Sequence, residues 1–313
     1  MRDQDVLRAA TMYYVQDETM DSIAHLLGTS RSTVSRLLKH ARECGMVRVS
    51  IQDPDRPSKL GQTLQRMFGV RPHIVTVRDG ASDLFRLDQV AKVAAQVLSD
   101  TVQPGNSIGI AWGTTLAAIV NQLVPRPMTG VTVVGLNGGA NQTTSGIPYV
   151  GSIYSKVADA FGGRVVMFPV PAFFDYASTR EAMWRERSVR AVLEVQRKVD
   201  VAVFGVGAIE SPLQSHVYAA NYLDEDDFAQ LAADRVVGDV CTVMLREDGT
   251  YADIALNARA TGLAPAQLRR LPRRIMVVAG TAKAAPALGA LRARVATDLV
   301  IDESTARAIL ERT

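Results

Sequence analysis

Between residues 4 and 48 the apolar positions recur every three or four residues, in three short runs. The first, 4–15, places Leu7, Ala10, Thr11 and Tyr14 on one helical face. A second run starts after Thr19, whose hydroxyl can cap it, with Asp21 in the positive first turn and Ile23, Ala24 and Leu27 on one side. Gly28 supplies the break, and Ser30 can cap a third helix in which Val34, Leu37, Leu38 and Ala41 fall at i, i+3, i+4 and i+7. Cys44-Gly45 closes that helix, and residues 46–51 alternate apolar and polar like a half-exposed strand. The pattern predicts a winged helix-turn-helix, all-α plus a wing, over residues 1–52.

The pattern changes after residue 52. Residues 53–58 are polar, contain Pro54 and Pro57, and predict a linker. A short helix over 59–68 follows, with Leu60, Leu64 and Phe68 at i, i+4 and i+8. From His73 onward, short β-branched runs alternate with helical stretches. Strands are predicted at 73–77, 107–111, 131–136, 164–170, 201–206, 236–245, 275–279 and 299–301. Helices are predicted at 84–98, 115–123, 153–161, 179–195, 226–233, 283–293 and 304–310. Such alternation argues for a mainly parallel sheet covered on both faces by helices, a Rossmann-like α/β domain over 59–313.

Charge decides what the third helix is for. Its outer face carries Arg31, Ser32, Ser35, Arg36 and Lys39, with Ser30 and Thr33 at its start. A helical hairpin with a merely solvated face would look similar. However, residues 29–48 hold five basic residues against one acidic, a net +4, whereas the whole chain of 313 residues is only +3. The basic excess sits in one segment, the electrostatic footprint of a DNA reader. Ser30, Arg31, Ser32, Thr33, Ser35, Arg36 and Lys39 are therefore the candidate DNA-binding residues, presented by the N-terminal half of a recognition helix.

Composition narrows the remaining classes. With 47% hydrophobic and 21% charged residues the chain has an ordinary globular balance, long enough for about two domains. The charged start Met-Arg-Asp-Gln-Asp is unlike a signal peptide, no apolar run is long enough to cross a bilayer, and a cytoplasmic protein without membrane partners is expected. Cys44 and Cys241 lie far apart, and His25, His40, His73 and His216 form no ligand pair, so neither a disulfide framework, a metal site nor a cofactor is expected.

In a sheet of this kind ligands bind beyond the carboxyl ends of the strands. Gly113-Thr114-Thr115 ends one strand and opens a helix, which makes either an anion cradle or a simple threonine cap with a packing glycine. The Asn137-Gly138-Gly139 and Gly205-Val206-Gly207 turns leave backbone bare where a polar ligand could approach. Neither is a dinucleotide fingerprint, and no G-x-x-x-x-G-K-[ST] occurs. Asp239 lies at the start of an apolar strand, where burial needs a polar partner such as sugar hydroxyls or Lys283. Lys283 opens a helix, against the dipole, so it serves either an anion or an ion pair.

These motifs together resemble the SorC family of bacterial sugar-binding transcriptional regulators over nearly the whole chain. The residues that carry the resemblance are Ile23-Ala24, Leu27-Gly28, Ser30-Arg31, Val34 to Leu38, Ala41 to Glu43, Gly45 and Val47. They continue in order with Gly113-Thr114-Thr115, Asn137-Gly138-Gly139, Gly205-Val206-Gly207, Gly238-Asp239, Ala279-Gly280 with Lys283, and Thr297 to Ala306. The resemblance implies a large domain of the sugar-phosphate isomerase/deaminase type, used as an effector sensor. It also implies a phosphorylated sugar or polyol as effector and a dimer or tetramer on double-stranded operator DNA. By that resemblance Thr114 and Thr115 hold the phosphate, Asp239 a hydroxyl, and Lys283 the phosphate or an oxygen nearby. Gly113, Asn137, Gly138 and Gly207 complete the candidate effector site. The chain departs from the family in having Gly280-Thr281 where members often have two glycines. It also has no cation at Asn137-Gly138, where some members place an arginine for a second phosphate. Both departures argue against a bisphosphate and for a monophosphate or an unphosphorylated sugar.

The function expected is a regulator, a repressor or activator of carbohydrate metabolism, rather than an enzyme. A sugar-phosphate isomerase or deaminase with an accessory helical domain is the alternative, because a shared fold does not settle function. Such an enzyme needs a group poised to move a proton, and only Asp239 and Lys283 offer one.

Overall fold

The computed structural model describes residues 3–47, 59–78, 80–141 and 147–313. The expected wing at 46–51 falls mostly, and the linker at 53–58 wholly, outside them. The chain divides into two units, Met1–Pro57 and Ser58–Thr313.

The first unit holds α1 (Asp3–Tyr14), α2 (Met20–Leu26) and α3 (Arg31–Glu43). Thr19 accepts the backbone N–H of Ser22 and Ser30 that of Thr33, so both helix starts are capped by the hydroxyls the sequence offers. Gly28 turns the chain between them at φ 63°. Val34, Leu37, Leu38 and Ala41 of α3 are buried with Ile23 and Ala24 of α2 and with Val6, Ala9 and Ala10 of α1. Of the face expected for α1, Ala10 is buried and Tyr14 packs against this core, but Leu7 does not join it. Leu7 is 56% exposed, and the buried stripe runs through Val6, Ala9 and Ala10, whose small side chains let the helices approach.

The second unit begins with α4 (Lys59–Phe68) and β1 (Arg71–Val75). It continues through α5 (Asp83–Thr101), β2 (Ser107–Ile110), α6 (Thr114–Val120), β3 (Thr132–Gly135), α7 (Ile147–Phe161) and β4 (Arg164–Val166). Next come α8 (Ala177–Met183), α9 (Arg187–Arg197), β5 (Val201–Gly205), β6 (Gly207–Ala208), α10 (His216–Ala219), α11 (Glu225–Ala233), β7 (Gly238–Val240) and β8 (Val243–Leu245). The chain closes with α12 (Pro265–Leu268), β9 (Arg273–Val278), α13 (Ala284–Arg292), β10 (Asp298–Asp302) and α14 (Glu303–Leu310). Seven strands form a parallel sheet in the order β1-β10-β9-β5-β2-β3-β4. The inner strands are buried on both faces, which is why they read as unbroken apolar runs rather than alternating ones. One core cluster includes Leu98, Ile108, Val133, Tyr154 and Val277; the other includes Leu136, Ala202, Phe204, Met276 and Leu288.

Two expected elements are broken in two. The helix expected over 179–195 is α8 and α9, interrupted at 184–186. The strand expected over 236–245 is a hairpin: β7 and β8 pair antiparallel and join β6 in a separate three-stranded sheet. Its turn is Cys241-Thr242, both at positive φ (51° and 65°). A type I′ hairpin turn needs that geometry at both central positions, and Asn-Gly or Asp-Gly is its usual sequence sign. Cys-Thr carries no such sign.

Candidate functional site

The carboxyl ends of β2, β3 and β5 converge with the β6-β7-β8 hairpin and the start of α13 around a cleft of about 470 Å³, part of it open to solvent. Seven of the eight expected effector residues line it: Gly113, Thr114, Thr115, Asn137, Gly207, Asp239 and Lys283. The eighth, Gly138, is not among the lining residues. Its N–H donates to Thr261 Oγ1 at 3.1 Å and its carbonyl accepts the Trp112 indole N–H at 2.8 Å. A Cβ on Gly138 would stand 2.3 Å from the Pro171 carbonyl oxygen. Gly138→Ala is accordingly expected to destabilise the domain by about 1–3 kcal/mol through overpacking. Thermal melting of the variant checks this, and an unchanged melting point would show that the wall can yield.

The threonine-cap reading at Gly113 does not hold. α6 starts at Thr114 with Gly113 at φ 138° as its cap residue, and no side chain caps it. Neither threonine hydroxyl caps the helix. Thr114 Oγ1 donates to the Gln214 carbonyl at 3.4 Å, and Thr115 Oγ1 accepts from Lys283 Nζ at 3.3 Å. Lys283 ends a short 3-10 turn, Thr281–Lys283, leading into α13, and is 6% exposed. Burial pulls its pKa from the ordinary 10.5 down to about 8, against the attraction of Asp239. The ammonium touches Thr115, and Asp239 acts on it through space.

Asp239 is 4% exposed. Its Oδ1 accepts from the Tyr218 hydroxyl and its Oδ2 from the Thr242 N–H, each at 2.9 Å. Burial raises its pKa, while these two donors and Lys283 oppose the rise. Asn137 is 2% exposed, and its Oδ1 has no hydrogen-bond partner among the described residues. A buried acceptor without a donor costs about 1–3 kcal/mol, and this one lies in the cleft wall. The cleft thus offers hydroxyl and ammonium donors at Thr115 and Lys283, and acceptors at Asp239 and Asn137.

The sequence reading did not find the residues that complete the wall. Ser215, His216 and Val217 line the cleft from the segment before and within α10, and Trp112, Cys241 and Thr242 line it as well. His216 lies 4.5 Å, ring to ring, from Tyr149, and Trp112 stacks on Tyr222 at 5.1 Å. Burial lowers the His216 pKa and raises the thiol of Cys241. No periodicity marks these positions, since α10 has only four residues and the hairpin turn lacks a turn signature.

On α3 and its cap, Ser30, Arg31, Ser32, Ser35, Arg36 and Lys39 are exposed and Thr33 is half-buried. The Ser30 oxygen is used by the cap and also meets Ser32 Oγ and Thr33 Oγ1 at 2.8 and 2.9 Å. Arg31 Nε lies 3.7 Å from the exposed Asp21, and Arg36 reaches Thr33 Oγ1 at 3.5 Å. Arg42, by contrast, donates to the Tyr14 hydroxyl at 3.0 Å and ties α3 to α1. Among the described residues, no three His, Cys, Asp or Glu side chains cluster as a metal site requires, and no helix is long and apolar enough to cross a membrane.

Comparison with known proteins places these features in a family. A model described as "Putative sugar-binding domain" matches residues 52–311. The deoxyribonucleoside regulator of Bacillus subtilis (strain 168) is 30% identical over 99% of this chain and 98% of its own length. The full-length sorbitol operon regulator SorC from Klebsiella pneumoniae superimposes with a TM-score of 0.79 at 26% identity, covering 99% of both chains. A domain of a possible sugar-binding transcriptional regulator from Arthrobacter aurescens TC1 is 44% identical over 83% of this chain and all of that one, with a TM-score of 0.76. With its helical N-terminal part, its parallel-sheet α/β domain and relatives matched end to end, the chain belongs to the SorC family of sugar-binding transcriptional regulators.

Proposed function

We propose that this protein regulates transcription of carbohydrate catabolic genes by binding operator DNA through α2 and α3, a helix-turn-helix, under the control of a phosphorylated sugar or polyol held in the cleft. The observation that carries the effector reading is the Asn137 Oδ1, a buried acceptor without a donor among the described residues. It lines the same cleft as a buried lysine and a buried carboxylate. In this reading the phosphate sits against Gly113, Thr114, Thr115 and Lys283, and the carbon chain with its hydroxyls extends past Gly207 toward Asp239 and Asn137. Lys283 is the one cation among the described lining residues, which favours a monophosphate. Relatives named for deoxyribonucleosides and for sorbitol suggest the probes: deoxyribose 5-phosphate, sorbitol 6-phosphate and their unphosphorylated parents.

The domain reads as the sugar-phosphate isomerase/deaminase fold turned into a sensor rather than an enzyme. The protein would act in the cytoplasm as a dimer or tetramer, because one small helix-turn-helix buries too little surface for specific binding at physiological salt. A buried lysine near a carboxylate is also what proton transfer requires. Turnover of any probe to a new product would revive the enzyme reading.

The test is an operator titration with and without each probe. A ligand present at about a hundred times its Kd stabilises the fold by about 2.7 kcal/mol, so a thermal shift identifies the effector first. Arg36→Ala is expected to cost about 1–3 kcal/mol on the operator and to blur discrimination there. Lys39→Ala should weaken all DNA binding and flatten its salt dependence. Wild-type operator affinity in the Arg36 variant would remove that residue from the reading face.

A further inference from the structure

Two contacts set the direction in which the Asp239 carboxylate points, one from Tyr218 outside the cleft wall and one from Gly207 within it. The Tyr218 hydroxyl, from α10, donates to Oδ1 at 2.9 Å. Gly207 lies directly beneath the same oxygen, and a Cβ there would stand 1.9 Å from it. The third contact, from the Thr242 N–H to Oδ2, is built into the hairpin turn and comes with the backbone. Tyr218 does not line the cleft, whereas Asp239 does. Each carboxylate oxygen has capacity for a further donor beyond the one it already holds.

The titratable groups facing Asp239 are Tyr218 from α10, Cys241 from the hairpin turn and Lys283 from the turn before α13. The Lys283 ammonium is engaged by Thr115 Oγ1. The phenol of Tyr218 is pushed well above its ordinary range by burial and by Asp239 itself, so it stays a donor wherever the carboxylate is charged.

We propose that Tyr218 is a positioning residue of the effector site, holding the Asp239 carboxylate over Gly207 so that its remaining lone pairs accept hydroxyls of a polyol. This rests on the carbohydrate reading above and names what the ligand must bring to that side of the cleft. The ligand needs hydroxyl donors there, and a bare anion gains nothing from them. Tyr218 acts through Asp239 and touches no ligand atom.

The experiment has one arm without ligand and one with two probes. Without ligand, the Asp239 carboxylate resonance, assigned by comparison with Asp239→Asn, is followed through a pH titration in the full-length wild type and in Tyr218→Phe. The midpoint is expected to rise in the variant, because the charged form loses a donor. With ligand, calorimetry compares sorbitol 6-phosphate with inorganic phosphate, which lacks the hydroxyls. Tyr218→Phe should weaken sorbitol 6-phosphate by about tenfold or more, the worth of one hydrogen bond to a charged group, and leave inorganic phosphate unchanged. Gly207→Ala crowds the carboxylate and the Tyr218 ring edge at once, and should weaken sorbitol 6-phosphate as well. An unmoved midpoint, or equal losses for both probes, would overturn the proposal. Failure of the wild type to bind sorbitol 6-phosphate would count against the carbohydrate reading, while a raised midpoint would still support the Tyr218 contact.

Discussion

Lys283→Met is expected to raise the melting temperature of the unliganded protein and at the same time abolish its response to a phosphorylated effector. Lys283 is buried with a pKa of about 8 against an ordinary 10.5. At neutral pH the folded protein therefore carries a charge that it would hold more easily unfolded, at a cost of about 3 kcal/mol if the whole shift is realised. Methionine fills similar space without the charge. The gain is smaller than the full cost, because Asp239 loses one of the groups that oppose its own burial. For an anionic effector the same replacement removes the one cation among the described residues that line the cleft. Loss of one partner of a desolvated charge pair typically costs about 2–5 kcal/mol of binding. Calorimetric melting and an operator titration, both with and without effector, measure the two effects. A Lys283→Met protein that melts no higher and responds at the wild-type effector concentration would show that this lysine serves the fold and that any phosphate is held elsewhere.

The second large effect is on pH. The folded pKa of Lys283 lies below the unfolded one, so the cost of its buried charge is fully present below pH about 8 and disappears as pH rises toward 10.5. The unliganded protein should therefore gain stability across that window. Effector binding should move the opposite way. An anionic oxygen needs the ammonium, so affinity stays level below pH about 8 and then falls, approaching tenfold per pH unit until the higher pKa of the bound lysine is reached. Effector titrations at pH 7, 8, 9 and 10 read the slope directly. A flat profile across that window would mean that the ligand does not draw on the charge of Lys283, as for an unphosphorylated sugar held by hydroxyls alone.

Local chemistry made the first unit largely readable. Thr19 and Ser30 cap their helices because a hydroxyl placed two or three residues before an uncapped N–H has little else to bond. Val34, Leu37, Leu38 and Ala41 are buried because a 3.6-residue period leaves them no other common face. In α1 the pattern was ambiguous, since Val6, Ala9 and Ala10 and the set containing Leu7 are neighbouring stripes of one helix. Close approach to the partner helices selected the smaller residues.

In the second unit the alternation of apolar runs and amphipathic stretches was enough for a parallel sheet, because strands buried on both faces must be apolar throughout. The glycine-rich strand ends likewise marked Gly113, Thr114, Thr115, Asn137, Gly207, Asp239 and Lys283, which the fold brings to one cleft. Other features depended on contacts between residues distant in sequence. The hairpin at Cys241-Thr242 holds two non-glycine residues at positive φ, an arrangement that costs of order 1–3 kcal/mol per residue and persists where surrounding contacts enforce it. Here the contacts include Asp239 on the Thr242 N–H and the close passage of Gly262, where a Cβ would meet the Cys241 carbonyl oxygen at 1.5 Å. Gly138 looked like bare backbone for a ligand, yet Thr261 and Trp112 use both of its polar groups. Tyr218 and His216 acquire their neighbours only when a four-residue helix is set against the hairpin and β2. Periodicity and capping are properties of a segment and can be read along the chain, whereas a buried carboxylate's partners belong to the packing of several segments at once.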